Sequence, residues 1–431
     1  MIAPPVKYTM TWLSLEFLAL LVCFLTPCIF AQETCQIGRD LADVPHTVRS
    51  DLYRGQQNFT VSMLQAINKA TPNENVFFSP YSTFHALLLA YFGARGQTEA
   101  ELTQALSLQW AKNKNHVLSG YNLEKKSRLM RAKKMPLQFA GADRIYFDKE
   151  IPLTDCVKDI FHEELASLDF HNNAEQSRIE INNWISNVTQ NEIPDMLSPG
   201  DVDAQTQLVL ANAAYFKGQW SNKFDPKDTK KDIFYTSESK HSFVDMMHKR
   251  GTYNLALDEY LGAYVLEMPY VTSNDNEKES DISMIVILPP FHNLDGVLAK
   301  LTPDSLDDAL KEGMAREVEV ALPKFAFEQK LELVPILREV GINSLFEKEA
   351  DLSDFSANSL PIGDAKHVAK IKVDEEGSTA SAATVLFSFR SARPLEPTKF
   401  ECNHPFLFLI YDYSAKAILF TGIYRDPMTQ K

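Results

Sequence analysis

The alternation of apolar and polar positions changes period several times along the chain, and each change marks an element. Between Asn75 and Gly96 (NVFFSPYSTFHALLLAYFGARG), Ser79 stands where a helix cap oxygen is needed and Pro80 suits the first turn. The run Ala86–Phe92 that follows is apolar on every side, which predicts a helix buried all round. Ile181, Trp184, Ile185 and Val188 recur at i, i+3, i+4 and i+7, the stripe of a helix laid on a packed surface. Strands are predicted at Ala142–Phe147, at Gln207–Trp220 (QLVLANAAYFKGQW), at Ile282–Leu288 just before Pro289 and Pro290, and at Val318–Phe327 (VEVALPKFAF). The last of these feeds a predicted helix from Leu331 that Gly341 ends. His367–Glu376 is a further strand, and Phe400–Ile410 (FECNHPFLFLI) opens an apolar hairpin reaching Tyr424. No glycine-rich boundary divides the chain and no repeat appears, so the economical fold class is a mixed α+β single domain.

One stretch does not behave like a core element. In Val373–Arg393 (VDEEGSTASAATVLFSFRSAR), two acids precede Gly377, and the eight positions from Gly377 to Thr384 carry nothing larger than Thr. Such a segment has little to bury and suits a linker. Yet no Pro occurs between Pro361 and Pro394, and the segment runs into the β-favouring Val385, Leu386 and Phe387, so it can also become a strand.

Composition sharpens the picture. The 431 residues are 45% hydrophobic, ample for a core, and the net charge of −14 argues against a general nucleic-acid binder. The one dense basic block, Lys125–Lys134 (KKSRLMRAKK), reads either as a solvated turn or as a site for a polyanionic glycan. At the N-terminus, Lys7 precedes an apolar run from Phe17 to Leu25, too short to span a bilayer, and Ala31 suits signal-peptidase cleavage. Residues 1–31 are therefore expected to be a signal peptide and 32–431 a secreted domain with no membrane attachment. Removal of that segment leaves Cys35, Cys156 and Cys402; an odd number cannot all pair within the chain, so disulfides are not its framework. Sequons at Asn58 and Asn187 agree with a secretory route.

Enzyme constellations are missing from the sequence. His162-Glu163-Glu164 has Ala166 where a zinc helix needs its second His, and no GxSxG, Walker or GxGxxG motif occurs. No catalytic residue, metal site or cofactor is expected.

The small-residue stretch E-E-G-S-T at Glu375–Thr379 and the downstream F-x-C-N-H-P-F-L-F motif at Phe400–Phe408 together resemble the serpins, at that family's spacing. The likeness extends upstream through Asn75–Leu102, Ile181–Leu197 (IxxWISxVTxxEIPDML) and Gln207–Trp220, nearly the whole mature chain. It implies a serpin fold with a large central sheet, further sheets, about nine helices and an exposed reactive-centre loop at about 374–397. Ile181–Leu197 would lie as a helix across the front of the main sheet. Ser79, Ser82, Asn212 and His367 would form the polar cluster under that sheet called the shutter, and Trp220 would mark the breach, where loop insertion begins.

The resemblance further implies a monomeric inhibitor of serine proteases, in which the loop is cleaved as bait and then inserts into the sheet, trapping the acyl-enzyme. Glu375, Glu376, Gly377, Ser378, Thr379, Ala380, Ser381, Ala382, Ala383 and Thr384 would be the hinge. Its small residues favour inhibition over a carrier, chaperone or storage role. The bait bond is assigned to Arg390-Ser391, which offers a cation to a trypsin-like protease; the commonest family count from Gly377 places it one residue later, after Ser391. Arg393 is followed by Pro394, which disfavours cleavage there. An extracellular proteolytic cascade, such as those of clotting, complement or invertebrate innate immunity, is the expected setting.

Overall fold

The computed structural model describes residues 37–38, 44–132, 137–272, 281–291, 293–357, 360–363, 365–377 and 396–429. In chain order its helices are α1 (Val48–Ala70), α2 (Pro80–Gly93), α3 (Gly96–Ala105), α4 (Lys114–Ala132), α5 (Asp155–Ile160), α6 (Phe170–Val188), α7 (Leu294–Lys300), α8 (Pro303–Glu312) and α9 (Leu333–Glu339). The strands are β1 (Val76–Phe78), β2 (Gln138–Asp148), β3 (Leu165–Leu168), β4 (Leu208–Lys217), β5 (Lys230–Ser237), β6 (Lys240–Asp258), β7 (Ala263–Pro269), β8 (Ile282–Leu288), β9 (Met314–Pro323), β10 (Phe325–Glu332), β11 (Ala365–Val373), β12 (Thr398–Glu401), β13 (Phe406–Asp412) and β14 (Ala417–Tyr424).

Two sheets organise these elements. A nine-stranded sheet runs β1-β14-β13-β8-β7-β6-β9-β12, with β5 paired to β6, and a five-stranded sheet runs β10-β11-β4-β2-β3. In the five-stranded sheet β11 lies directly beside β4 and parallel to it, in a register that sets Ala365 against Leu210, His367 against Asn212 and Lys370 against Tyr215. β4 is buried on both faces, which is why it reads as an unbroken apolar run rather than an alternation, whereas β11 keeps the half-buried Lys366 and Lys370 and the exposed Lys372 on one face.

Two of the three predicted helices form for the reasons their residues suggest. Ser79 Oγ accepts the backbone N–H of Ser82 at 3.1 Å, Pro80 begins α2, and every residue of α2 is buried. The stripe of α6 buries Ile181 and Ile185 against Tyr146, Val209, Ala211, Ala213 and Val368 of the five-stranded sheet, so α6 crosses its front. Arg144 on β2 stacks its guanidinium over Trp184 of α6 at 4.2 Å.

Three expectations need correction. Val318–Phe327 is not one strand: β9 pairs with β6 and β12 in one sheet, and β10 with β11 in the other, with the break at Pro323-Lys324. Proline has no N–H to continue the ladder, and Lys324 N–H instead donates to the carbonyl of Asp245 at 2.8 Å. The following helix begins at Leu333, because Leu331 and Glu332 stay paired with His367 and Lys366; Gly341 ends it at φ +95 as expected. The strand predicted to reach Glu376 stops at Val373, where the chain turns away.

The basic block is also not a turn. As far as Ala132 it forms the end of α4, where Lys125 pairs with Glu163 and Glu164 at 2.5 Å each and Arg131 with Asp412. Two of its cations thus already have carboxylate partners within the fold; Lys133 and Lys134 lie outside the described residues. Glu164, read from the sequence beside a failed zinc motif, is the partner of Lys125 and of the Tyr121 hydroxyl. Cys156 is disulfide-bonded, while Cys402 is a free and fully buried thiol.

Candidate functional site

The site is built where β11 ends. After Val373 the chain folds into a turn from Asp374 to Gly377, closed by the N–H of Gly377 donating to the carbonyl of Asp374 at 3.1 Å. Gly377 has φ +88, and a Cβ there would lie 2.4 Å from the backbone nitrogen of Trp220, so only glycine fits. Trp220 clamps this turn twice. Its indole Nε1–H donates to the Asp374 carbonyl at 2.9 Å and its backbone N–H to the Glu376 carbonyl at 3.2 Å, while its ring stacks on Tyr270 at 4.5 Å.

Charge completes the clamp. Lys324 lies 2.8 Å from the Glu375 carboxylate, Thr229 Oγ1 donates to it at 2.7 Å, and Lys223 pairs with Glu376 at 2.8 Å. Burial alone would raise the Glu375 pKa, yet the hydrogen bonds from Lys324 and Thr229 hold it below the usual carboxylate range. The break between β9 and β10 at Pro323-Lys324 is therefore also the point from which the Asp374–Gly377 turn is gripped.

Along the β11–β4 seam lies a buried polar cluster. The Ser79 backbone N–H donates to His367 Nε2 at 2.9 Å, so that nitrogen carries a lone pair, and Nδ1–H donates to Asn212 Oδ1. Asn212 Nδ2 donates to Ser82 Oγ at 2.7 Å and to Asp143 Oδ1 at 2.6 Å, and Ser82 Oγ donates to Asp143 Oδ1 at 2.5 Å. Ser79 Oγ donates to the Leu419 carbonyl at 2.7 Å, which ties the cluster to β14. Burial lowers the His367 pKa to about 3, keeping the ring neutral. Burial raises Asp143 to about 6 against the opposing hydrogen bonds of Ser82 and Asn212 and the charge of Arg128. Each bond is satisfied, and each is exchangeable at a net cost of about 0.5–1.5 kcal/mol, so the cluster can hold the seam shut without welding it.

A hinge turned out at one end of a parallel seam, over a polar cluster that bridges it, is the arrangement the sequence resemblance implies. The serpin (serine protease inhibitor) family profile matches residues 54–427 of the chain. The chain is a serpin. It is 56% identical over 394 residues to serine protease inhibitor 88Ea of Drosophila melanogaster, covering 89% of this chain and 92% of that protein. It is 32% identical to antithrombin-III of Ovis aries, covering 88% of this chain and 82% of that protein. Among solved structures it resembles uncleaved ovalbumin with a TM-score of 0.76 and 26% identity, covering 88% of this serpin and all of that chain.

Ser79, Ser82, Asn212 and His367 meet within hydrogen-bonding range, and Trp220 contacts the turn of Glu375, Glu376 and Gly377. The remaining positions expected to form the hinge, Ser378–Thr384, and the expected bait bond Arg390-Ser391 lie outside the described residues. Of the sequons, Asn187 is exposed on α6, while Asn58 is half-buried within α1 and is followed by the buried Phe59 and Thr60. Among the described residues no helix is long and apolar enough to cross a membrane.

Sequence reasoning missed Asp143, Lys324, Thr229 and Lys223. Asp143 carried one signal, a carboxylate in the middle of an otherwise weakly alternating strand. Lys324 carried another, a lone cation directly after a strand-breaking proline.

Proposed function

We propose that this serpin is a secreted, irreversible inhibitor of trypsin-like serine proteases, with Arg390-Ser391 as bait and residues 1–31 as its signal peptide. The observation that carries the reading is the Asp374–Gly377 turn: it directs the chain out of the sheet at the end of a parallel β11–β4 seam, and the sequence that follows is small enough to enter that seam. The protease Ser Oγ adds to the Arg390 carbonyl carbon, the Arg390–Ser391 C–N bond breaks, and the new Ser391 amine takes its proton from the protease histidine. The acyl-enzyme ester is normally hydrolysed. Here the freed hinge enters between β4 and β11 as a new strand and carries the bound protease with it, distorting the catalytic site before water attacks. The names of the relatives, a serine protease inhibitor and an antithrombin, support the same class of target. An extracellular proteolytic cascade is the setting that fits a one-shot inhibitor, and Asn187 is the better placed of the two glycan sites.

The test is incubation with a panel of trypsin-like proteases, followed by a denaturing gel and mass spectrometry of the released C-terminal fragment. A covalent complex and a fragment beginning at Ser391 support the reading. A fragment beginning at Ala392 moves the bait to Ser391 and favours elastase-like targets. Arg390→Ala is expected to abolish the complex, since a specificity-pocket carboxylate left without its cation costs roughly 2–5 kcal/mol, and Arg393→Ala to change little. Cleavage of the wild type by every protease without a covalent complex overturns inhibition.

A further inference from the structure

The loop that follows α6 passes over the mouth of the β11–β4 seam. The register of the two strands stops at Lys370 and Tyr215, the pair nearest the hinge turn, although β11 continues to Val373 and β4 to Lys217. Register partners share a face of the sheet, here the face that α6 crosses, where Ala211, Ala213 and Val368 pack under its stripe. Glu192 stands over this last pair, and its carboxylate is divided between the two strands. Tyr215 Oη–H donates to Oε1 at 3.3 Å, while Lys370 Nζ lies 3.0 Å from Oε2 and donates to the Glu192 backbone carbonyl at 3.2 Å.

The loop's own bonds hold Glu192 in place. Gln190 and Asn191 take φ of +55 and +65, a left-handed pair that turns the chain back after α6. The Asn191 N–H donates to the Ser186 carbonyl at 2.7 Å, the Glu192 N–H to the Thr189 carbonyl at 3.0 Å, and the Ile193 N–H to Thr189 Oγ1 at 3.2 Å. Ile193 and Met196 are then buried with the residues under α6. Burial, with the Glu192 carboxylate beside it, pushes the Tyr215 hydroxyl up to about 12, so it stays a donor. A strand inserted between β4 and β11 would double their separation from about 4.8 Å to about 9.6 Å, too far for one carboxylate to touch both.

We propose that Glu192 is a releasable staple across the hinge end of the seam, tying Tyr215 of β4 to Lys370 of β11 and setting how fast an entering strand parts them. This rests on the reading that the hinge inserts there. Entry competes with hydrolysis of the acyl-enzyme, so the staple also sets the share of encounters that end in a trap. Lys370 has a second carboxylate in Glu328, its register partner on β10, 3.8 Å away, so release of the staple does not strand a charge.

The test follows uptake of a fluorescently labelled peptide with the sequence of residues 378–390 by the full, uncleaved chain, which reports opening of the seam without any protease. Tyr215→Phe and Lys370→Met each remove one arm of the staple, and Glu192→Ala removes the carboxylate that joins them. Each is expected to raise the uptake rate about fivefold, the effect of losing a charge-assisted bond at a partly exposed site. Glu180→Ala, on the exposed face of α6, should leave the rate unchanged. A staple needs both arms, so the double variant of Tyr215→Phe with Lys370→Met should be no faster than either single one. A double variant faster by about 25-fold, the product of the two, overturns the staple, because the residues would then act independently. Wild-type rates in all three single variants also overturn it and leave the insertion reading standing. If neither the wild type nor any variant takes up peptide, the seam does not admit a strand, and the insertion reading falls together with the staple.

Discussion

His367 on β11 and Asn212 on β4 lie opposite one another in parallel register, and the histidine ring joins them by donating Nδ1–H to the amide oxygen. Because Ser79 N–H already donates to Nε2, a second proton on the ring would set donor against donor. The native state therefore resists protonation down to about pH 3, whereas an unfolded chain takes the proton near pH 6.5. The stabilisation is fully present above pH 6.5 and is lost as pH falls toward 3. Asp143 acts in the opposite sense: its raised value near 6 makes the native form take up a proton first, favouring it as pH falls from about 6 to 4. His367→Gln removes the first effect and keeps the second. Its thermal midpoint should lie well below wild type at pH 7.5, and the gap should narrow by pH 5, at up to about 1.4 kcal/mol per pH unit below 6.5. A gap independent of pH would show that His367 does not titrate as the geometry requires.

Gly377→Ala should disturb the clamp more than an exposed alanine would. The added Cβ meets Trp220 N at 2.4 Å and the Gly218 carbonyl at 2.7 Å, and φ +88 is itself strained for an L-residue by about 1–2 kcal/mol. The expected outcome in calorimetry is a midpoint lowered by several degrees, together with altered Trp220 fluorescence. An unchanged midpoint and spectrum would mean the turn is not held against Trp220.

Glu375→Lys places a cation opposite Lys324 in a nearly buried position and should lower stability by about 1–2 kcal/mol. The loss stays below that of a fully buried pair because the Lys324 side chain is 37% exposed. Combining it with Lys324→Glu should restore most of the loss. Failure of the swap to recover stability would assign the effect to Thr229 or to packing instead of the ion pair.

If the protein inhibits by insertion, Ser378→Glu should turn it into a substrate. Were the segment to insert as a strand, Ser378, Ala380, Ala382 and Thr384, on alternate positions, would face one side of it, and a carboxylate carried into the sheet would cost several kcal/mol unless paired, slowing insertion relative to deacylation. Glu at Thr379, on the other face, should be better tolerated. The measurement is stoichiometry of inhibition, and a wild-type value for Ser378→Glu would exclude insertion through this hinge.

The sequence by itself determined whatever depends on near neighbours. The cap of Ser79 and Pro80 on α2, the strand Ile282–Leu288 to the residue and the stripe of α6 are each written within a few residues, because helix capping and periodicity act over that range. The motifs at Glu375–Thr379 and Phe400–Phe408 were enough to place the chain in its family. Tertiary structure alone decided the rest. Nothing local tells Val318–Phe327 to divide between two sheets, since both halves are equally strand-like and only their partners differ. Nothing local pairs Glu375 with a lysine 51 positions earlier, or sets Asp143 on the amide of Asn212, 69 positions away. A charged residue in a strand reads as exposed until the fold supplies its partner, and that partner is chosen by which strands come to lie side by side.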